Sequence, residues 1–412
     1  MKKIGFPNLS FLPSNNRIRN LYDEYRALLS KKFMILNMPA FREHMKTDER
    51  ETMTRKFIDE IDVFFGYDRQ FMRTRRNCHK KPAIILPMFA NMTRGGITIW
   101  MNRNYFNTND VLMFSSLADK AIYSEAVTEA TVKAIVLPLP LSSCYEQQFQ
   151  SCGVLRKKEE IGPIRILYVG RLVKEKNIQA IVQVCSILKN RMDFSMTMIG
   201  NWYDSIDDGR YKREIQKLIA DLNLTEKIIF KGYLQERDLV DEYQKSDILI
   251  NLSTNPDENF GLAIVEALSQ SLPIVCTDWG GFKDHVISGW NGYKVKTNII
   301  NNTVAIDINE AVEYLYMLRS STLRKRMGKN SNDLYNDKYG RCILLKKLEM
   351  IILSRKEARE AVVKFDREAM EYCLKYVFGC AVKCKEPDVY FGQKHYVSQL
   401  MEEIDENCSG ED

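Results

Sequence analysis

Between residue 163 and about residue 297 the apolar positions form two kinds of run that alternate. Short continuous runs have the length and β-branched content of buried strands: "IRILYVG" (164–170), "FSMTMIG" (194–200), "IIFKGY" (228–233), "DILINLS" (247–253), "PIVCTD" (273–278) and "GYKVK" (292–296). Between them, "NIQAIVQVCSILKN" (177–190), "YKREIQKLIADLNL" (211–224), "ERDLVDEYQKS" (236–246) and "GLAIVEALSQS" (261–271) repeat apolar residues at the three- and four-residue spacing of a half-buried helix. Strands apolar on both faces, alternating with amphipathic helices, predict a parallel sheet covered on both sides. Ligands of such sheets bind beyond the carboxyl ends of the strands.

The first 150 residues are less regular. "KKIGFPN" (2–8) and the runs at 33–39, 62–68, 82–88, 110–116 and 131–140 read as strands, with helices such as "TRKFIDEI" (54–61) between them. This predicts a second α/β domain. The polar stretch 145–163 reads as an interdomain linker. After residue 307 the pattern is mostly helical, including "ILLKKLEMIIL" (343–353) and the run 355–379, and the chain ends in the acidic "MEEIDENCSGED" (401–412). The expected organisation is a domain over 1–150, a second over 151–330 and a helical extension over 331–412 that crosses back onto the first.

Composition narrows this picture a little. The chain has 412 residues, 45% hydrophobic and 28% charged, enough for a real core. A net charge of +6 fits ordinary solubility, with a basic face for phosphates, anionic lipid or nucleic acid as the other reading; of these, no nucleic-acid partner is expected. Ten scattered cysteines, of which Cys380 and Cys384 stand closest, form no zinc pattern. With no secretory leader and no run long enough to span a bilayer, the expected location is cytoplasmic, with any membrane contact peripheral at the inner face.

Two segments carry candidate chemistry. "GRLVKEK" (170–176) follows the first strand of the regular domain and places Arg171 and Lys176 before a helix. Cations there suit a diphosphate, and a solvated basic loop is the competing reading. In "ENFGLAIVE" (258–266) Glu258 precedes a helix and Glu266 lies about two turns into it, with free N–H groups expected near Phe260, Gly261 and Leu262. Glu258 either faces a ligand or complements the helix dipole. Glu266 is either a hydrogen-bond acceptor for a diol or an exposed residue of the helix.

Taken together with "GYLQERDLVDEYQKSDILINLS", "ALSQSLPIVCTDWGGFKD" and "GWNGYKV", in this order and spacing over 165–297, these segments resemble the retaining glycosyltransferases of the two-Rossmann GT-B architecture, in particular the large GT4 group. The resemblance implies two Rossmann-like domains facing each other across a cleft. It implies that Arg171 and Lys176 bind the donor diphosphate and neutralise the leaving group, and that Glu258 contacts the donor sugar. The amides of Phe260, Gly261 and Leu262 would cradle phosphate, Glu266 would bind the ribose, and Gly232 and Tyr233 would line the nucleobase pocket. A nucleotide-sugar is then the donor, the acceptor is open, and no cofactor or metal is expected, no D-x-D standing at a strand end. In "GGFKD" Asp284 replaces the family's usual glutamate.

The N-terminal domain departs from the family. "KIGFPNLSFLPSNNR" lacks the Gly-Gly loop and offers Asn8, Ser14 and Asn15 instead. The position near Met88 or Phe89, where many members carry a histidine, has none; His44 and His79 read as surface residues. "NMTRGG" (91–96), with Arg94, is either a phosphate-facing loop or a plain turn. The basic stretch 67–81 reads as a solvated face. These gaps keep a second expectation alive: a catalytically inactive GT-B partner or chaperone subunit of an active transferase.

Overall fold

The computed structural model describes residues 1–366, apart from 14–15, 43, 90–97, 146–161, 203–207, 256–257, 301–302 and 355–357. Ser14, Asn15, the 91–96 loop, most of the linker, the cysteines at 380 and 384 and the acidic tail lie outside the described residues.

Two six-stranded parallel sheets organise the chain. The first is built from β1 (Lys3–Phe6), β2 (Met34–Asn37), β3 (Val63–Phe65), β4 (Ala83–Pro87), β5 (Val111–Phe114) and, after a short β6 (Val127–Ala130) that stays outside it, β7 (Lys133–Val136). Its order is β2-β1-β3-β4-β5-β7. The second holds β8 (Ile164–Val169), β9 (Phe194–Ile199), β10 (Ile228–Gly232), β11 (Ile248–Asn251), β12 (Ile274–Thr277) and β13 (Gly292–Val295), in the order β10-β9-β8-β11-β12-β13. Central strands such as β3, β5, β11 and β12 are buried at every position, as sheets covered on both faces require. The edge strand β10 alternates instead.

Each sheet is sandwiched between two apolar layers. In the second sheet, Ile178, Ile181, Val182, Cys185 and Leu188 of the helix Ile178–Leu188 cover one face, and Ile264, Val265 and Leu268 of the helix Leu262–Ser269 cover the other. In the first, Leu344, Leu348 and Ile352 of the helix Arg341–Leu353 pack among Ile4, Phe65 and Tyr25. The chain therefore crosses back onto its first domain. Arg341, 4% exposed, secures the crossing by donating from Nη1 to Glu24 Oε2 at 2.5 Å and to Leu141 O at 2.6 Å.

The structure corrects several sequence readings. Residues 360–366 are not helical: β16 (Val363–Phe365) pairs antiparallel with β6, because the alternating Val363 and Phe365 bury against the first domain while Lys364 faces out. An antiparallel hairpin, β14 (Thr297–Ile300) and β15 (Thr303–Ile306), follows the second sheet. Tyr145, read as linker, is buried 6.3 Å from the Tyr243 ring. The stretch 67–81 is solvated on one side only. Its helix Arg69–Arg76 exposes Arg69, Arg73 and Arg76 but buries Phe71, Met72 and Arg75. The Arg75 guanidinium makes two 2.7 Å bonds to the Asp110 carboxylate and donates to Pro82 O and Tyr105 O, which satisfies the buried pair. Among the described residues no helix is long and apolar enough to cross a membrane.

Candidate functional site

The chain reverses its direction of travel across the second sheet between β8 and β11, which lie side by side. Connections leave these two strands toward opposite edges, so a crevice opens at their carboxyl ends. Residues 170–176 follow β8 and residues 252–261 follow β11; the two segments singled out in the sequence therefore meet here.

Lys176 Nζ forms an ion pair with Glu258 Oε2, the two side chains being 13% and 11% exposed. Asn177 holds the loops together. It takes the left-handed conformation (φ 54°) that asparagine tolerates, and its Nδ2 donates to Leu252 O at 2.8 Å and Thr254 Oγ1 at 2.7 Å. Beneath them the buried Tyr168 donates its hydroxyl to Arg171 O at 2.9 Å, and burial pushes that phenol well above its ordinary range. The Arg171 side chain is 40% exposed, with Nη2 3.8 Å from Glu175 Oε1. Lys176 is thus held inside the crevice and Arg171 at its mouth.

Gly261 caps the helix Leu262–Ser269 with φ 81°, and a β-carbon there would lie 2.6 Å from the Phe282 ring. Because the helix begins only at Leu262, Glu266 sits just over one turn in, not two. The N–H groups of Phe260, Gly261 and Leu262 have no acceptor among the described residues. Glu266 is half-buried and accepts from the Tyr243 hydroxyl at 2.7 Å; burial first, and Glu266 second, push that phenol far up. Gly232 (φ 66°) ends β10, two strands from β8, with the 70% exposed Tyr233 just beyond it, and Gly200 N–H donates to Gly232 O at 2.8 Å.

The Gly-Gly pair supports this crevice from behind. Built β-carbons at Gly280 and Gly281 would stand 2.2 Å from Glu258 O and 2.1 Å from Asn259 O, and Gly281 N–H donates to Glu258 O at 3.0 Å. Asp284, at the end of the same turn, reaches the other domain: its Oδ2 accepts from Leu117 N–H at 2.5 Å, the first residue of the helix Leu117–Ala126. Ser115 Oγ donates to Asn259 Oδ1 in a second interdomain bond. The next residue, His285, is 1% exposed; it contacts Phe260 O through Nε2 and the Tyr339 hydroxyl through Nδ1, each at 2.5 Å. Burial pushes its imidazole down to about 3, so the ring is neutral. A cavity of about 160 Å³ lies between the domains beside it, bordered by Ser115, Leu117, Asp284, Lys338 and Tyr339.

On the first domain, Asn8 shapes its own loop, donating to Met38 O at 3.2 Å and accepting from Ser10 N–H at 2.9 Å. Met88 is buried, and the Phe89 ring stands edge-on to Tyr22 at 5.0 Å, filling with apolar carbon the place where the resemblance looked for a histidine. His44 and His79 are exposed. No group of three or more His, Cys, Asp and Glu among the described residues is placed to share a metal ion. Sequence reasoning missed Asn177, Tyr168, Tyr243 and His285. Only Asn177 and His285 left a signal, each directly following a segment already singled out.

Residues 154–333 match the family model described as glycosyl transferases group 1. The chain is 26% identical over 173 residues to the GDP-Man:Man(3)GlcNAc(2)-PP-Dol alpha-1,2-mannosyltransferase of Caenorhabditis elegans, covering 41% of this chain and 35% of that one. It is 22% identical over 168 residues to the N-acetyl-alpha-D-glucosaminyl L-malate synthase of Bacillus anthracis, covering 41% and 39%. The matches span less than half the length of these curated relatives. Among solved structures, HepE of Anabaena in complex with UDP superposes with a TM-score of 0.61 at 12% identity, over 85% of this chain and 99% of that one. Sucrose-phosphate synthase of Thermosynechococcus elongatus gives 0.61 at 13% identity, over 85% and 98%. The fold is that of the GT-B glycosyltransferases, two Rossmann-like domains with the sheets described above.

Proposed function

We propose that this chain, which carries a group 1 glycosyltransferase domain over residues 154–333, moves a sugar from a nucleotide-sugar to an acceptor with retention at the anomeric carbon. The reaction must stabilise a departing diphosphate while an oxocarbenium-like sugar forms. Preorganised cations and N–H groups aimed at the leaving oxygens supply this, and no metal is required for it. In this reading Lys176 and Arg171 neutralise the diphosphate and the amides of Phe260, Gly261 and Leu262 bind its oxygens. Glu258 faces the sugar, Glu266 accepts from the ribose diol, and Gly232 and Tyr233 border the base.

The observation that carries the reading is the meeting of Lys176, Glu258 and three N–H groups with no acceptor among the described residues, in one crevice at the reversal point of the sheet. The Lys176–Glu258 pair also suggests how the empty site is kept: a buried cation and anion neutralise each other until a diphosphate takes the lysine and releases the carboxylate toward the sugar. UDP accompanies several of the similar structures, which supports a nucleotide-sugar donor of this class. Acceptor choice is assigned to the first domain, and a cytoplasmic location with peripheral membrane contact remains part of the proposal.

Phe89 favours one competing reading, an inactive GT-B partner of another transferase, since it leaves no acid–base side chain at that position. A single experiment separates them. Melting temperature and donor hydrolysis are measured with UDP-, GDP- and ADP-sugars for the parent, Glu266→Ala and Lys176→Ala. Stabilisation by one donor, slow hydrolysis by the parent, and loss of about tenfold or more in affinity in both variants is the expected result. Binding without turnover, even with acceptor supplied, supports the inactive partner.

A further inference from the structure

Resting on the donor-site reading above, we propose that His285 and Tyr339 are positioning residues, a buried two-link chain that sets the Phe260 carbonyl and thereby aims the amides of Gly261 and Leu262 at the donor diphosphate.

The direction of each link follows from the groups present. A carbonyl only accepts, so the contact to Phe260 O requires the proton on His285 Nε2. In the neutral ring Nδ1 then has only a lone pair, so the Tyr339 hydroxyl gives its one proton to Nδ1 at 2.5 Å in preference to Asp284 O, which lies farther off at 3.3 Å. One tautomer satisfies both bonds. The three rings pack edge to face, Phe260 to His285 at 4.8 Å and His285 to Tyr339 at 5.3 Å, and all three side chains are buried. Asn291 Nδ2 holds the His285 carbonyl at 2.9 Å, which fixes the backbone from which the ring projects.

What this chain holds is the peptide between Phe260 and Gly261. Its carbonyl is bound by His285, and its N–H, on Gly261, is one of the donors at the crevice with no acceptor among the described residues. The peptide is planar, so fixing the oxygen fixes the direction of the N–H. A hydrogen bond to the carbonyl also polarises the amide and strengthens the N–H as a donor. Gly261 has the left-handed conformation, which glycine enters and leaves at little cost, so the loop needs outside support to keep one orientation.

Tyr339 gives the chain its second end. It closes the π-helical turn Tyr335–Tyr339, after which the backbone passes at Gly340 to Arg341 and the helix docked on the first domain. Lys338, its neighbour, donates to Asp284 O at 2.9 Å, and Asp284 holds the first domain through Leu117. The aim of the donor amides is therefore tied to the segment that joins the two domains. Single-turn π distortions of this kind are frequent where backbone geometry serves a site.

The test titrates UDP, GDP and ADP into the parent, Tyr339→Phe, His285→Gln and His285→Ala, with donor KM, kcat and melting temperature taken on each. Tyr339→Phe keeps the ring and removes one hydroxyl. It is expected to raise the nucleoside diphosphate Kd and the donor KM about three- to tenfold with kcat altered less than about twofold. His285→Gln, whose amide can still donate toward Phe260 O, is expected to retain part of the affinity that His285→Ala loses. A parent that binds none of the three nucleotides overturns the donor-site reading and this chain with it. A parent that binds, with variants that melt lower but bind equally well, overturns the chain alone and leaves His285 and Tyr339 as packing residues.

Discussion

His285 also carries a charge consequence. Its ordinary value is 6.5, and in the folded chain burial pushes it down to about 3. Between those values the unfolded chain binds a proton that the folded chain does not. Stability from this residue is therefore complete above about pH 6.5 and is lost as pH falls toward 3, by up to about 1.4 kcal/mol per unit. Urea midpoints of the parent and of His285→Gln, compared from about pH 7.5 to about pH 5, should fall more steeply in the parent; parallel lines would contradict the assignment. At the same scale, Lys176 and Glu258 were legible because charged residues in a loop at a strand's carboxyl end stand out against an apolar pattern. Tyr168 and Tyr243 were not: an aromatic in a strand or helix reads as core, and only the fold reveals that each hydroxyl meets a site loop or side chain.

Among the elements, every strand of the two sheets was readable because each lies in an apolar run bounded by turn residues, even where, as in β2, β7 and β10, the strand is partly exposed. What was not readable depended on partners distant in sequence. Val363 and Phe365 sit in a charged stretch with a helical look, and their strand exists because β6 leaves an edge to pair with. The hairpin of β14 and β15 did leave a sign, the Asn-Asn pair at 301–302 between two short β-prone runs. The depth of Glu266 in its helix turned on the left-handed cap at Gly261, which keeps residues 258–261 outside the helix, so that a count from Glu258 gives about two turns where the helix itself has just over one. The Gly-Gly turn makes a sharp prediction. Gly281→Ala drives a β-carbon into Asn259 O, so the loop of residues 258–260 must move, whereas Gly289 has φ 82° but nothing within 4 Å of its built β-carbon. Gly289→Ala should cost about 1 kcal/mol from backbone strain alone and leave nucleotide binding intact; Gly281→Ala should cost about 2–3 kcal/mol and weaken binding as well. Equal effects of the two on binding would remove the Gly-Gly turn from the support of the site.

For the molecule as a whole, the crossing helix Arg341–Leu353 is part of the first domain's core although it is encoded after the second. Its two faces differ sharply: Leu348 is fully buried and Leu353 is 51% exposed. Leu348→Asp places a carboxylate in an apolar layer and should lower the melting temperature by about 10 °C or more, while Leu353→Asp on the same helix should shift it by less than about 2 °C. Thermal melts of the two variants side by side check this, and a similar small shift in both would mean that the helix only rests on the surface. The crossing was expected of the helical extension over 331–412, but not the Arg341 bonds to Glu24 and Leu141 that secure its start, since nothing local marks their partners.

The same crossing has a consequence for synthesis. The first domain's strands leave the ribosome with one apolar face covered only in part, by Tyr22, Tyr25, Leu28 and Leu29 of the helix Arg17–Leu29, and the rest of its cover follows about 200 residues later, some 10–40 s at roughly 5–20 residues per second. During that interval the second domain, contiguous in the chain, can close on its own. Completion of the first domain is thus a late, long-range event, and the nascent protein passes through a stage with one finished half and one sticky half, open to chaperones and to wrong partners alike. Slow translation or truncation ahead of residue 341 should lengthen that exposed stage.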